Sequence, residues 1–61
     1  MERGIDVDHI KRAIRNPDQT VQSFDNRFVV IKRIDSRKIK VAYVRPKGKD
    51  NTYIIITAYY L

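Results

Sequence analysis

Arg27-Phe28-Val29-Val30-Ile31-Lys32-Arg33-Ile34, then Asp35-Ser36-Arg37, then Lys38-Ile39-Lys40-Val41-Ala42-Tyr43-Val44-Arg45 is the stretch that decides the fold. β-Branched and aromatic residues dominate both halves, and a polar triplet parts them. This is the pattern of two strands joined by a tight turn, strands 27–34 and 38–45. Side chains alternate along a strand, so each residue's parity assigns its face. With Ile34 set opposite Ile39, Phe28, Val30 and Ile34 share a face with Ile39, Val41 and Tyr43. The other face carries Arg27, Val29, Ile31 and Arg33 beside Lys38, Lys40, Ala42 and Val44. That second face is an apolar strip between basic rims, neither polar surface nor core.

Upstream, residues 7–15 read as a short helix. Asp6 is placed to cap the first turn, and Ile5 and Ile10 have the spacing of a hydrophobic staple. Val7, Ile10, Ala13 and Ile14 form one apolar stripe, with Asp8, Lys11, Arg12 and Arg15 opposite; Asp8 and Arg12 stand at i,i+4. Asn16-Pro17-Asp18 stops the helix, Asn16 being a residue that tolerates the left-handed C-terminal conformation. Residues 20–24 alternate weakly and lead into Asp25-Asn26, a two-residue hairpin turn. Downstream, residues 46–51 are a polar loop. Residues 52–60 form a last strand that is apolar on both sides, with Tyr53, Ile55, Thr57 and Tyr59 against Ile54, Ile56, Ala58 and Tyr60. The order α-β-β-β-β with short turns predicts an α+β fold: one N-terminal helix packed on a four-stranded antiparallel meander, a single domain over residues 1–61. The stripe covers the Phe28–Tyr43 face, and one short helix leaves the second face without a cover.

Sixty-one residues bound what such a fold can hold. A chain of this size buries only ~60% of its unfolded surface, so self-association is an expected support. It has no cysteine and one histidine, which excludes a thiolate nucleophile, a disulfide framework and a cysteine or polyhistidine zinc site. No metal and no cofactor are expected. The apolar runs around Phe28 and Ile54 are far short of the ~20 residues of a membrane span, and the first residues carry two acids and no apolar core. No membrane association and a cytoplasmic location are the expectation.

The charge is localised. Residues 1–26 sum to −1, residues 27–49 to +8 and residues 50–61 to −1, giving the net +6 of the chain. Arg27, Lys32, Arg33, Arg37, Lys38, Lys40, Arg45, Lys47 and Lys49 face Asp35 alone in the middle segment. A basic cluster on a sheet with tyrosines on a neighbouring strand suits phosphates and bases, which makes Arg27, Arg33, Arg37, Lys38, Lys40 and Arg45 candidate nucleic-acid contacts. Lys and Arg on strands also serve simply to block edge-to-edge aggregation. Tyr59 and Tyr60 point to opposite faces, so one of them at most lines the basic side.

Other chemistries find little support. Ser23 and Ser36 sit in hairpin positions without a neighbouring His–acid pair in sequence. Carboxylate pairs are missing from the basic region, and Gly4 and Gly48 stand alone, so neither glycosidase chemistry nor a phosphate-cradling glycine loop is indicated. His9 falls on the flank of the helix stripe, where histidines are more often surface than catalytic.

Arg3-Gly4-Ile5, Ile10, Ala13-Ile14, Asn16-Pro17-Asp18 and the 27–34 strand together resemble the DUF4258 family, over about residues 3–59. Those small domains are similar in turn to the RelE/ParE and BrnT toxins of toxin–antitoxin pairs. Family members usually carry a further N-terminal stretch with a His-Ala pair, so a truncated RelE-like fold is expected here. The resemblance implies an mRNA endoribonuclease, free or ribosome-dependent, that needs no metal and is neutralised by an antitoxin lying across the sheet. Arg33 and Lys40 match its sheet-borne basic residues in kind, and Tyr59 or Tyr60 its C-terminal tyrosine. Cleavage by 2′-OH attack needs a base, cations for the phosphorane and an acid for the leaving oxygen. Arg33, Lys40 and Tyr59 are the candidate catalytic set, the surrounding cations being what would draw the phenol toward its ionised form. Two classes remain open: an RNA-cleaving toxin-like enzyme, and a non-catalytic module that binds nucleic acid or protein, working as a homo-oligomer.

Overall fold

The computed structural model describes residues 4–48 and 52–61. Helix α1 spans Val7–Arg15, followed by strands β1 (Gln19–Phe24), β2 (Arg27–Ile34), β3 (Arg37–Val44) and β4 (Ile54–Tyr60). The strands form one antiparallel sheet in the order β1-β2-β3-β4, so the expected α+β architecture is the observed one. Met1, Glu2 and Arg3, with Lys49, Asp50 and Asn51 of the expected polar loop, lie outside the described residues. No described helix is long and apolar enough to cross a membrane.

α1 begins where Asp6 accepts a hydrogen bond from the Asp8 amide at 2.9 Å, and Ile5 packs against the core as a staple should. Arg12 Nε reaches Asp8 Oδ2 at 3.0 Å, the i,i+4 pair on the wet face. Ile10, Ala13 and Ile14 are buried, but Val7 is 56% exposed, because it precedes the part of the helix that meets the sheet. Asn16 ends α1 at φ −144°, ψ 68°, not in the left-handed region. The following Pro17 forces this: its ring crowds the preceding residue out of the helical region toward extended backbone.

Asp25 and Asn26 carry φ 52° and 63°, the double positive φ of a tight hairpin turn. The next turn is tighter than the sequence suggested. Ile34 pairs with Arg37 and Lys32 with Ile39, so Asp35 and Ser36 alone make the connection and β3 starts at Arg37. The pairing is thus shifted by two residues from Ile34 opposite Ile39. A shift of two preserves parity, and every face assignment on β2 and β3 survives it. β4 begins at Ile54 because β3 ends at its partner Val44.

Strict alternation fails on both outer strands. The register of β3 with β4 steps between Ala42↔Thr57 and Tyr43↔Ile55, leaving Ile56 as a bulge residue. Consequently Ile55, Ala58 and Tyr60 share the helix side, while Ile54, Thr57 and Tyr59 share the other. The simple division of residues 52–60 into two apolar faces is corrected by that one extra residue. Val21 forms the equivalent step on β1, between Thr20↔Val30 and Gln22↔Val29.

The core is the layer between α1 and the sheet: Ile10, Ala13 and Ile14 against Val30, Ile34, Ile39, Val41, Tyr43 and Ala58. Ala13 and Ala58 are wholly buried, and these small side chains set how closely helix and sheet can approach. Phe28 stacks on Tyr43 with ring centroids 5.1 Å apart, and Tyr43 meets Tyr53 edge-on at 6.1 Å.

Candidate functional site

The face turned away from α1 is open. Across its strands run Arg27 beside Val44, Val29 beside Ala42, Ile31 beside Lys40 and Arg33 beside Lys38. β4 adds Tyr59 directly opposite Lys40, Thr57 opposite Ala42 and Ile54 opposite Val44. Val29, Ile31, Ala42 and Val44 are half-buried with no helix over them. None of the strands contains an aspartate or glutamate, so the described acids lie in α1, in the turns and beside the helix end.

Arg33, Lys40 and Tyr59 are therefore brought together. Lys40 and Tyr59 are cross-strand partners, Arg33 is diagonal to Lys40 through Lys38, and all share the open face. The strand carrying Arg33 is pinned from the side: its amide donates to Asp18 Oδ2 at 2.7 Å, and the Asp18 amide donates to the Ile31 carbonyl at 3.0 Å. The Arg33 amide, and then Lys32 Nζ at 3.4 Å, hold the Asp18 carboxyl below its ordinary range, outweighing the small cost of its surroundings.

Two of the six candidate nucleic-acid contacts stand elsewhere. Arg37 shares parity with Ile39 on the helix side, and its guanidinium lies 4.0 Å above the Tyr60 ring. Arg45, fixed by its amide to the Asn26 carbonyl at 2.8 Å, lines a groove with Lys11, Ile14, Arg15 and Tyr53 on the helix side. Arg27, Arg33, Lys38 and Lys40 remain on the open face. Burial pushes the Tyr43 hydroxyl up, with Arg45 pulling weakly the other way, consistent with Tyr43 as a core residue.

One polar cluster escaped sequence reasoning. His9 Nδ1 lies 2.9 Å from the Tyr60 hydroxyl, and His9 Nε2 lies 3.9 Å from Asp6 Oδ2. The Asp6 amide points at the same hydroxyl from 3.5 Å. Asp6 and His9 are one helical turn apart, a spacing visible in sequence, but Tyr60 is 51 residues further on and only the meander closes the cluster. It ties the start of α1 to the end of β4. Among the described residues, no three His, Asp or Glu side chains converge as a metal site requires.

Taken together, a helix covering one face of an antiparallel meander and a basic, partly apolar face left open define a small α+β fold. The chain belongs to the family described as Domain of unknown function (DUF4258), which it matches over residues 1–60. No curated protein and no solved structure matches it.

Proposed function

We propose that this chain is a toxin-like RNA-directed domain whose open sheet face binds RNA and whose Arg33, Lys40 and Tyr59 cut it. The observation that carries the reading is the gathering of Arg27, Arg33, Lys38, Lys40 and Tyr59 around one uncovered strip, on strands without a carboxylate. Cations on a rigid sheet meet successive phosphates, half-buried apolar side chains and Tyr59 offer surface to bases, and no acid on those strands repels the backbone. The resemblance to toxin domains carried by the residues of the sequence points the same way.

The chemistry is 2′-OH attack. Tyr59 takes the 2′-hydroxyl proton on its phenol oxygen as it gives up its own, and the 2′ oxygen forms a bond to the adjacent phosphorus. Arg33 and Lys40 stabilise the added charge on the phosphorane oxygens. The P–O5′ bond breaks, and the departing 5′ oxygen takes, through water, the proton that Tyr59 gives up, which leaves the phenol as it began. The products are a 2′,3′-cyclic phosphate end and a 5′-hydroxyl end.

The test is an end-labelled mRNA incubated with the protein, with and without ribosomes, beside a Tyr59→Phe/Arg33→Ala variant. Discrete cuts that vanish in the variant while RNA affinity stays within several-fold are expected. Binding without cutting, from folded protein, would remove the catalytic assignment and keep the binding one. Binding itself is read from its salt dependence: removing the charges of Arg33 and Lys40 together should flatten the slope of log K against log salt by about 1.4 for single-stranded RNA. An unchanged slope would discard the open face as the RNA surface.

A second reading is favoured by Phe24 and Ile54, exposed at 74% and 59% beside the apolar strip. It makes the chain a non-catalytic module that self-associates through this face. Ile31→Asp, which places a charge at the centre of the strip, should then convert a dimer to a monomer in light scattering. A wild-type monomer would dispose of this reading.

A further inference from the structure

On the opposite side of the sheet from the RNA face, the C-terminal half of α1 and the β3–β4 end of the sheet enclose a groove of about 270 Å³ lined by Lys11, Ile14, Arg15, Arg45 and Tyr53. Three of its five lining residues are cations. Lys11 and Arg15 stand at i,i+4 on α1, a like-charge spacing that costs the helix a few tenths of a kcal/mol. Arg45, the residue after β3, is brought to them by the bond of its amide to the Asn26 carbonyl. Arg12, by contrast, has Asp8, and Lys32 has Asp18. Lys11, Arg15 and Arg45 form no ion pair with any described acid. The fold thus converges three cations on one hollow, with no described carboxylate paired to any of them.

The remaining walls are apolar and aromatic. Ile14 supplies the floor on the helix side. Tyr53 closes the sheet side as the last ring of the row Phe28–Tyr43–Tyr53, which holds it in place from behind. The volume falls just under the roughly 300–1,000 Å³ of ordinary small-molecule pockets, which suits one small group. A ligand complementary to these walls carries a strong anion at one end and a flat unsaturated ring at the other.

We propose that this groove is a nucleotide-phosphate site, in which Lys11, Arg15 and Arg45 hold the phosphate and Tyr53 with Ile14 receives the base. Arg45 supplies a planar fork for two phosphate oxygens, and the helix lysine and arginine add charge from the other side. Tyr53 contributes a surface for stacking, which is tolerant of base identity. The site stands on its own lining and does not require the open face to bind RNA. Its nucleotide comes either free or as the phosphorylated end of an RNA chain.

The experiment is a titration of ¹⁵N-labelled protein with adenosine monophosphate, adenosine and inorganic phosphate, followed by amide shifts. The monophosphate should move the resonances of Lys11, Arg15, Arg45 and Tyr53, phosphate should move them more weakly, and adenosine should leave them unmoved at the same concentration. Arg45→Ala, an exposed side chain whose backbone bond to Asn26 is unaffected, should weaken the monophosphate at least tenfold; Arg12→Ala, which removes a cation already paired with Asp8 and outside the groove lining, should leave it unchanged. A short RNA with and without a 5′-phosphate separates the sources: a groove response that needs the 5′-phosphate assigns the site to an RNA end, and equal response to both RNAs, weaker than to the monophosphate, assigns it to a free nucleotide. Shifts confined to Lys40 and Tyr59, or no shift at all, would overturn the proposal while leaving the open-face reading to its own salt and cleavage tests.

Discussion

Asp18 ties the end of the helix segment to β2 through one carboxylate and one amide. Oδ2 accepts from the Arg33 amide, Oδ1 from Lys32 Nζ, and its own amide donates to Ile31. These donors favour the charged carboxylate, so its folded-state value lies below the ordinary 3.8. A depressed carboxyl contributes stability that is fully present above its unfolded value and is lost as pH falls through its folded one. Asp18→Asn should therefore melt below wild type at neutral pH, and the two melting temperatures should converge as pH is taken down through 3.8 and lower; a gap that persists undiminished in acid would refute the role. In sequence Asp18 was legible only as part of a helix stop. Its partners Lys32 and Arg33 lie 14 and 15 residues away, so nothing local announced them. The same holds for His9 and Tyr60.

The elements were more legible than their contacts. The 7–15 helix follows from a cap, a stripe and a proline, all local signals, and it is observed with those bounds. Faces on β2 and β3 followed from parity, which is why a two-residue error in register did no harm. Where a single extra residue enters, parity gives no warning: the bulges at Val21 and Ile56 are set by how β1 and β4 lie against their neighbours, and no residue at either position advertises one. Arg37 had a different cause: read as part of the turn, it is the first residue of β3 because Asp35 and Ser36 alone make the connection. The Asp25-Asn26 turn, by contrast, was readable because its residue types are selected for positive φ. Asn26 at φ 63° has a direct consequence: Asn26→Gly should stay within a few tenths of a kcal/mol of wild type, whereas Asn26→Val should cost about 1–2 kcal/mol. Urea denaturation of both variants measures it, and equal stability would mean the turn tolerates another geometry.

At the scale of the molecule, the protein is a slab 36 × 21 × 15 Å with 4658 Å² of accessible surface. Globular scaling gives roughly 4,100 Å² for a chain of this size, so the slab carries extra surface. A domain of this length has a stability of about 3–9 kcal/mol at the usual value per residue. Ile39, wholly buried between Tyr60 and Lys32 in the ladder, should cost about 2–5 kcal/mol on truncation to alanine. Ile39→Ala should consequently melt well below wild type by circular dichroism, and an unchanged melting temperature would show that the core closes over the gap. The composition had already indicated a marginal core. Which side of the sheet each cation serves was settled only by register, bulge and turn length together.

All six residues of β1 are exposed, and β1 stands at the edge of the sheet. Apart from its ladder to β2, it has no buried side chain to hold it. β3 is the opposite case, bonded on both sides and burying Ile39, Val41 and Tyr43. Amide hydrogen exchange across the sheet is then graded, fastest where β1 peels away in local openings and slowest along β3, whose amides are released only with the whole fold. Lys40 sits on that last-opening strand opposite Tyr59, so this part of the open face stays assembled while the sheet's far margin breathes.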